Sequence, residues 1–115
     1  MLKISNSQFK AQEVAAEELL CKRLASRLRQ EMPMETNNIE NQEMLVQIRQ
    51  AVEASDKLNI EKEDDIFRFL RLKYLPSEAW RNPHAHQVFY ECFTDTSIDA
   101  SLRLSFVEEN LLKNN

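Results

Sequence analysis

The chain has no glycine in 115 residues. Glycine takes positive φ without steric cost, and two-residue hairpins and phosphate-cradling loops lean on it. A chain without it is poorly equipped for a β-rich fold or a nucleotide-binding loop. Helix is the regular structure that needs none, and apolar residues recur at helical spacing through most of the sequence. The three prolines, Pro33, Pro76 and Pro83, all fall between periodic segments, where they bound helices instead of breaking them.

The periodicity predicts about five helices. The first covers about 7–31, with Phe9, Ala16, Leu20, Leu24 and Leu28 in one stripe that Cys21 and Ala25 widen. Ser5 or Ser7 caps it, its glutamates precede its basic residues, and Met32-Pro33 ends it. Met34 to Ile39 is then a polar connection. The second helix covers about 40–58, capped by Thr36 or Asn38, with Met44, Leu45, Ile48, Ala51, Val52 and Leu58 inward and Ser55 marking a close helix crossing. Asn59 is the residue able to take the left-handed conformation at the end of that helix, and Ile60 folds back on it. Glu61, Glu63, Asp64 and Asp65 then place negative charge at the positive end of the third helix, about 62–75. Ile66, Phe67, Phe69, Leu70, Leu72, Tyr74 and Leu75 leave that helix little polar surface, so it belongs at the centre of the bundle. Asn82 and Pro83 start a fourth helix whose apolar face is Ala85, Val88, Phe89, Cys92 and Phe93. A turn at 94–97 leads to the fifth, about 98–113, with Leu102, Leu104, Phe106, Val107, Leu111 and Leu112 as its apolar residues. The expected fold is all-α: one domain over residues 1–115, a compact bundle with the third helix central.

Chemistry is sparse in this pattern. His84 and His86 are two apart and point to different faces of a helix, whereas ligands on one helix sit three or four apart. The acidic run at 61–65 lacks the alternating oxygens and central glycine of a calcium loop. Cys21 and Cys92 stand alone in apolar settings and read as small core residues, and neither forms a helical pair with a histidine. The corner before the third helix imitates a helix-turn-helix, but that helix begins acidic and is mostly apolar, and the net charge is −4, unsuited to neutralising phosphates. No run approaches the roughly 20 apolar residues of a membrane span, and the first residues lack the apolar centre of a signal peptide. The expectation is a cytoplasmic, non-enzymatic protein with no metal, cofactor, nucleic acid, membrane or small-molecule substrate. Aromatic residues exceed what a small bundle needs inside. Trp80, Phe89, Tyr90 and Phe93 gather around the fourth helix, and at least one of the adjacent pair Phe89 and Tyr90 must face away from the core.

Arg27-Leu28-Arg29 followed by Pro33, then Asn59-Ile60, Glu63-Asp64-Asp65-Ile66 and Phe69-Leu70, resembles small all-helical proteins encoded in bacterial type VI secretion effector cassettes. In those proteins a tyrosine-glycine-isoleucine corner precedes an acidic residue and a helix ending in phenylalanine-leucine; here Asn59 stands at the glycine position. The similarity spans about the first 75 residues. It implies a co-chaperone or adaptor that binds a secretion effector or its chaperone and aids its stability or loading. It carries over no functional residue. Trp80, Phe89, Tyr90 and Phe93 are the candidate partner-binding residues, seating a partner in an apolar groove. The alternative is an immunity protein that neutralises a cognate toxin, for which the acidic balance suits a basic target.

Overall fold

The first helix stops where proline demands it, and the chain then makes one turn more before the second long helix begins. The computed structural model describes residues 6–75, 78, 81 and 83–112, with side chains from Val14 onward apart from those at 85, 88, 92, 93 and 112. Among these residues there are six helices and no strand: α1 (Asn6–Glu31), α2 (Pro33–Thr36), α3 (Asn41–Lys57), α4 (Glu63–Leu72), α5 (Pro83–Thr94) and α6 (Ala100–Leu112). The fold is all-α. The single turn α2 lies where a polar connection is expected from sequence. Pro33 starts it, at a position with no hydrogen bond to lose. Thr36 is buried, and its hydroxyl donates back to the Met32 carbonyl at 2.8 Å. Thr36 therefore does not cap α3, and neither does Asn38; the residue before α3 is Glu40, which makes no side-chain capping bond. Arg29 closes the passage instead, donating to the carbonyls of Thr36 at 2.9 Å and Ile39 at 2.6 Å.

Asn59 takes φ 58°, and no other described residue has positive φ. Its N–H donates to Asp56 O at 3.1 Å, and Ile60 N–H donates to Ser55 O at 2.9 Å. This pair of bonds is the Schellman ending of a helix, with Asn59 in the seat usually given to glycine. Ile60 is buried at the far side of the turn, and Ser55 is buried under it.

The direction set there sends α4 between the other elements. It packs against α1, α3 and α6, whereas α5 packs on α6 and α2 on α1. Phe67 and Leu70 are fully enclosed, with Ile66 and Leu72 nearly so. They join Cys21, Leu24, Leu28, Met44, Ile48, Leu104, Val107 and Leu111 in one core. Each large side chain so enclosed stabilises the fold by roughly 1.5–3 kcal/mol. The helix ends at Leu72, short of Tyr74 and Leu75. The Tyr74 hydroxyl donates to Gln47 Oε1 at 2.6 Å, and its pKa is raised by burial and then by Glu43. The Cα atoms fill a plate of 51 × 37 × 17 Å, its short dimension about two helix layers. No described helix is long and apolar enough to cross a membrane.

Polar contacts hold α4 from both sides. The acidic residues of its first turn complement the helix dipole. Two of them also pair with α1: Glu63 with Arg23 at 2.8 Å, and Asp64 with Arg27 at 2.7 Å. The Arg27 guanidinium lies 4.0 Å from the centre of the Phe67 ring, a cation–π contact. On the other side, half-buried Arg68 donates to Glu108 at 2.7 Å, to Ser101 at 3.0 Å and to Ser105 at 2.9 Å. The Glu108 bond leads the effects that raise the Arg68 pKa.

Two stability predictions follow from these contacts. Asn59→Gly is expected to be neutral or stabilising, while Asn59→Val loses roughly 1 kcal/mol or more because a β-branched residue resists positive φ; equal urea midpoints for the two would contradict the geometry. Arg68→Ala is expected to lose roughly 1–2 kcal/mol, between the exposed and fully buried cases. Arg23→Ala, whose ion pair is open to solvent, leaves the urea midpoint within the scatter of the melt.

Candidate partner-binding surface

A helix can turn only one face to a core, and α6 carries two apolar stripes. Its buried residues are Ala100, Arg103, Leu104, Val107 and Leu111. Leu102 and Phe106, two of the apolar residues read from sequence in this helix, lie outside that stripe at 66% and 56% exposed. Arg103 takes the inward place at 1% exposed. Both sets of residues have helical spacing. Residues 100, 104, 107 and 111 repeat at three and four, a continuous helical stripe, and 103 falls within it. Residues 102 and 106 lie one turn apart on another face.

Arg103 is tolerated inside because it meets backbone acceptors. Its Nε donates to Ile98 O at 2.9 Å and its Nη2 to Leu58 O at 2.8 Å. Leu58 ends α3, where unsatisfied carbonyls gather and the helix dipole is negative. Nη1 is buried and finds no acceptor among the described residues. Asp99 caps the start of α6, accepting from the Ser101 N–H at 3.1 Å. That fixes the first residue of α6 at Ala100, two beyond the expected Ile98.

Outside, Ile98, Leu102 and Phe106 line a groove of about 430 Å³ with Glu91, Asp95 and the edge of Arg103. Glu91 and Asp95 form its acidic edge on the α5 side. Glu91 accepts from Gln87 at 3.1 Å. Asp95 accepts from the Ser97 hydroxyl and N–H, which hold its carboxyl below the usual range, with smaller help from Arg103. Tyr90, one residue before Glu91, is 69% exposed.

The four residues singled out from sequence fare differently. Trp80 lies outside the described residues. Phe93 sits on α5, and its side chain is likewise outside them. Phe89 and Tyr90 take opposite directions. Phe89 is half-buried against the core and lines an apolar cleft of about 290 Å³ with Ala51, Ala54, Phe69, Leu70 and Leu72. Tyr90 faces out. The sequence reading missed Ile98, Leu102 and Phe106 as surface residues. Their spacing of four was the available signal, but it does not by itself say which stripe turns inward.

Among the described residues the other chemistry-bearing side chains do not gather at one place. Cys21 is buried, and desolvation is the first cause raising its thiol pKa, followed by Glu17. It is a core residue. His84 and His86 are both exposed in the first turn of α5. Among the described residues no three histidine, cysteine or acidic side chains group as a metal site would need. Comparison with protein-family models, with curated proteins and with solved structures finds no match.

The outer stripe and the core stripe are separable by experiment. Leu102→Ser and Phe106→Ser are expected to shift stability by no more than about 0.5 kcal/mol. Leu104→Ala, at a fully enclosed position, loses roughly 2–5 kcal/mol. Thermal and urea melts of the three variants check this, and a large loss at 102 or 106 would mean that the stripe supports the fold.

Proposed function

We propose that the chain is a non-enzymatic protein-binding module that works through the outer face of the α5–α6 hairpin. One observation carries the reading. Tyr90, Ile98, Leu102 and Phe106 are all exposed large apolar residues within this hairpin, and three of them line one groove with a charged edge. Apolar surface gathered in this way, rimmed by polar groups, marks interaction sites. Scattered single residues do not. Tyrosine and phenylalanine also make efficient anchors, since they bury much area for few rotors. The likeness of the first 75 residues to type VI cassette proteins supports a role as a co-chaperone or adaptor for an effector or its chaperone.

The acidic edge at Glu91 and Asp95 favours a second reading, an immunity protein set against a basic toxin. The two roles separate in cells. Loss of a co-chaperone lowers effector accumulation or export without poisoning the producer. Loss of an immunity protein leaves the producer unprotected, and this chain alone restores protection.

Binding itself is tested by co-expression with the products of the neighbouring genes, among which the reading expects an effector or its chaperone. The tagged chain is expected to capture it. Tyr90→Ala combined with Leu102→Asp releases it while helix content and urea midpoint stay unchanged. Undiminished capture by that double variant would move the binding surface elsewhere.

A further inference from the structure

We infer that the α5–α6 groove seats an amphipathic helix with a lysine- and arginine-rich edge, and not a second copy of this chain. This rests on the reading of the hairpin as an interaction surface and names what that surface takes. The apolar wall is built on α6 and on the bend before it. Leu102 and Phe106 stand one turn apart on α6, about 6 Å of helical rise. Ile98, in the bend that precedes the helix, adds a third apolar side chain, and all three line the groove. A partner helix presenting apolar residues at i and i+4 can seat against that wall.

Charge selects the partner's polar side. From Pro83 to Leu112 the chain carries five carboxylates, Glu91, Asp95, Asp99, Glu108 and Glu109, against one lysine or arginine, Arg103. That arginine is buried and donates to the carbonyls of Ile98 and Leu58, and it also lines the groove, where two carboxylates outnumber it. Glu108 is paired with Arg68. The groove itself is edged by Glu91 and Asp95, one turn apart on the α5 side, and the Ser97 hydroxyl favours the charged form of Asp95. A helix with its Leu-like face down and a cation beside it meets two carboxylates. A helix with an acidic edge meets like charge, which costs affinity and slows association.

The same charges disfavour self-association. In a two-fold contact each surface meets its own duplicate. Two copies joined through Leu102 and Phe106 would bring two acidic edges together with no exposed lysine or arginine from either hairpin to separate them.

The test uses the full chain and two synthetic peptides of about five helical turns. They share one leucine face and differ only in a polar face of lysine and arginine or of glutamate. Fluorescence anisotropy at about 0.05 M and about 0.3 M salt reads binding and its screening. The basic peptide is expected to bind at least about tenfold tighter than its acidic twin, with the gap narrowing at high salt. Phe106→Asp weakens the basic peptide about tenfold although it makes the face more acidic, and Leu102→Ser does so without changing charge. Glu91→Lys with Asp95→Lys reverses the preference.

Basic-peptide binding undiminished by both apolar variants would be diffuse attraction and would overturn the groove as the seat. Equal binding of the two peptides, lost in Phe106→Asp, would overturn the basic edge while leaving the hairpin as an interaction surface. A concentration-dependent dimer in sedimentation velocity, abolished by Phe106→Asp, would put a second copy there. Failure of both peptides to bind also overturns the inference, and capture of the effector by the hairpin then stands or falls separately.

Discussion

The carboxyl end of α3 is the point on which the arrangement turns. A helix leaves its last carbonyls without intrahelical donors, and buried ones must find partners. Here Ser55 O accepts from the N–H groups of Leu58 and Ile60, and Asp56 O from that of Asn59. Leu58 O accepts from Arg103, 45 residues away in sequence. The Ile60 bond closes across a residue with positive φ, and in a chain without glycine Asn59 fills that place. The Arg103 bond ties the start of α6 to the end of α3. One helix terminus thus fixes two things at once: the direction in which α4 leaves, and the height at which α6 crosses.

The position of α4 follows, and charge holds it there. A ten-residue helix is too short to be stable alone and depends on its packing. On one side Arg27 stacks on Phe67 while pairing with Asp64. On the other, Arg68 reaches Ser101, Ser105 and Glu108 along α6. The residues behind the type VI resemblance have structural places in this arrangement. Arg27 meets α4, Leu28 is in the core, and Arg29 closes the passage through α2. Asn59 and Ile60 form the corner, while Ile66 and Leu70 are buried in α4. Residues with structural places of this kind mark no functional site. Function has to be sought on what the scaffold presents.

The scaffold was largely legible in the sequence. Periodicity located α1, α3, α4, α5 and α6 to within a few residues, because each buries a stripe that repeats at helical spacing. The Asn59 ending was legible because few residue types tolerate positive φ. The turn α2 was not, since four residues are too few to show a period. The phase of α6 was not either. Leu102, Leu104, Phe106 and Val107 all count as apolar, and hydropathy alone assigns all four to the core. What separates them is the burial of Arg103, and its long-range partner Leu58 O is a backbone group that no side-chain pattern encodes. Phe89 was legible as part of the apolar face of the fourth helix, and it packs against the core, while its neighbour Tyr90 faces out.

The missed phase and the candidate surface have one physical origin. Arg103 lies between the two stripes of α6: its guanidinium donates to Leu58 O on the inner side, and the residue also lines the groove with Leu102 and Phe106. The second apolar stripe lies outside, beside Glu91 and Asp95. The exposed groove is therefore coupled to the interior through a single side chain. Leu102 and Phe106 are carried by a helix that the Arg103 side chain ties to the Leu58 carbonyl at the end of α3. This is a rigid way to present an apolar surface, and a preorganised surface loses less entropy on binding than a mobile loop. The surface arises by giving one core position to an arginine and the adjoining face of the same helix to leucine and phenylalanine.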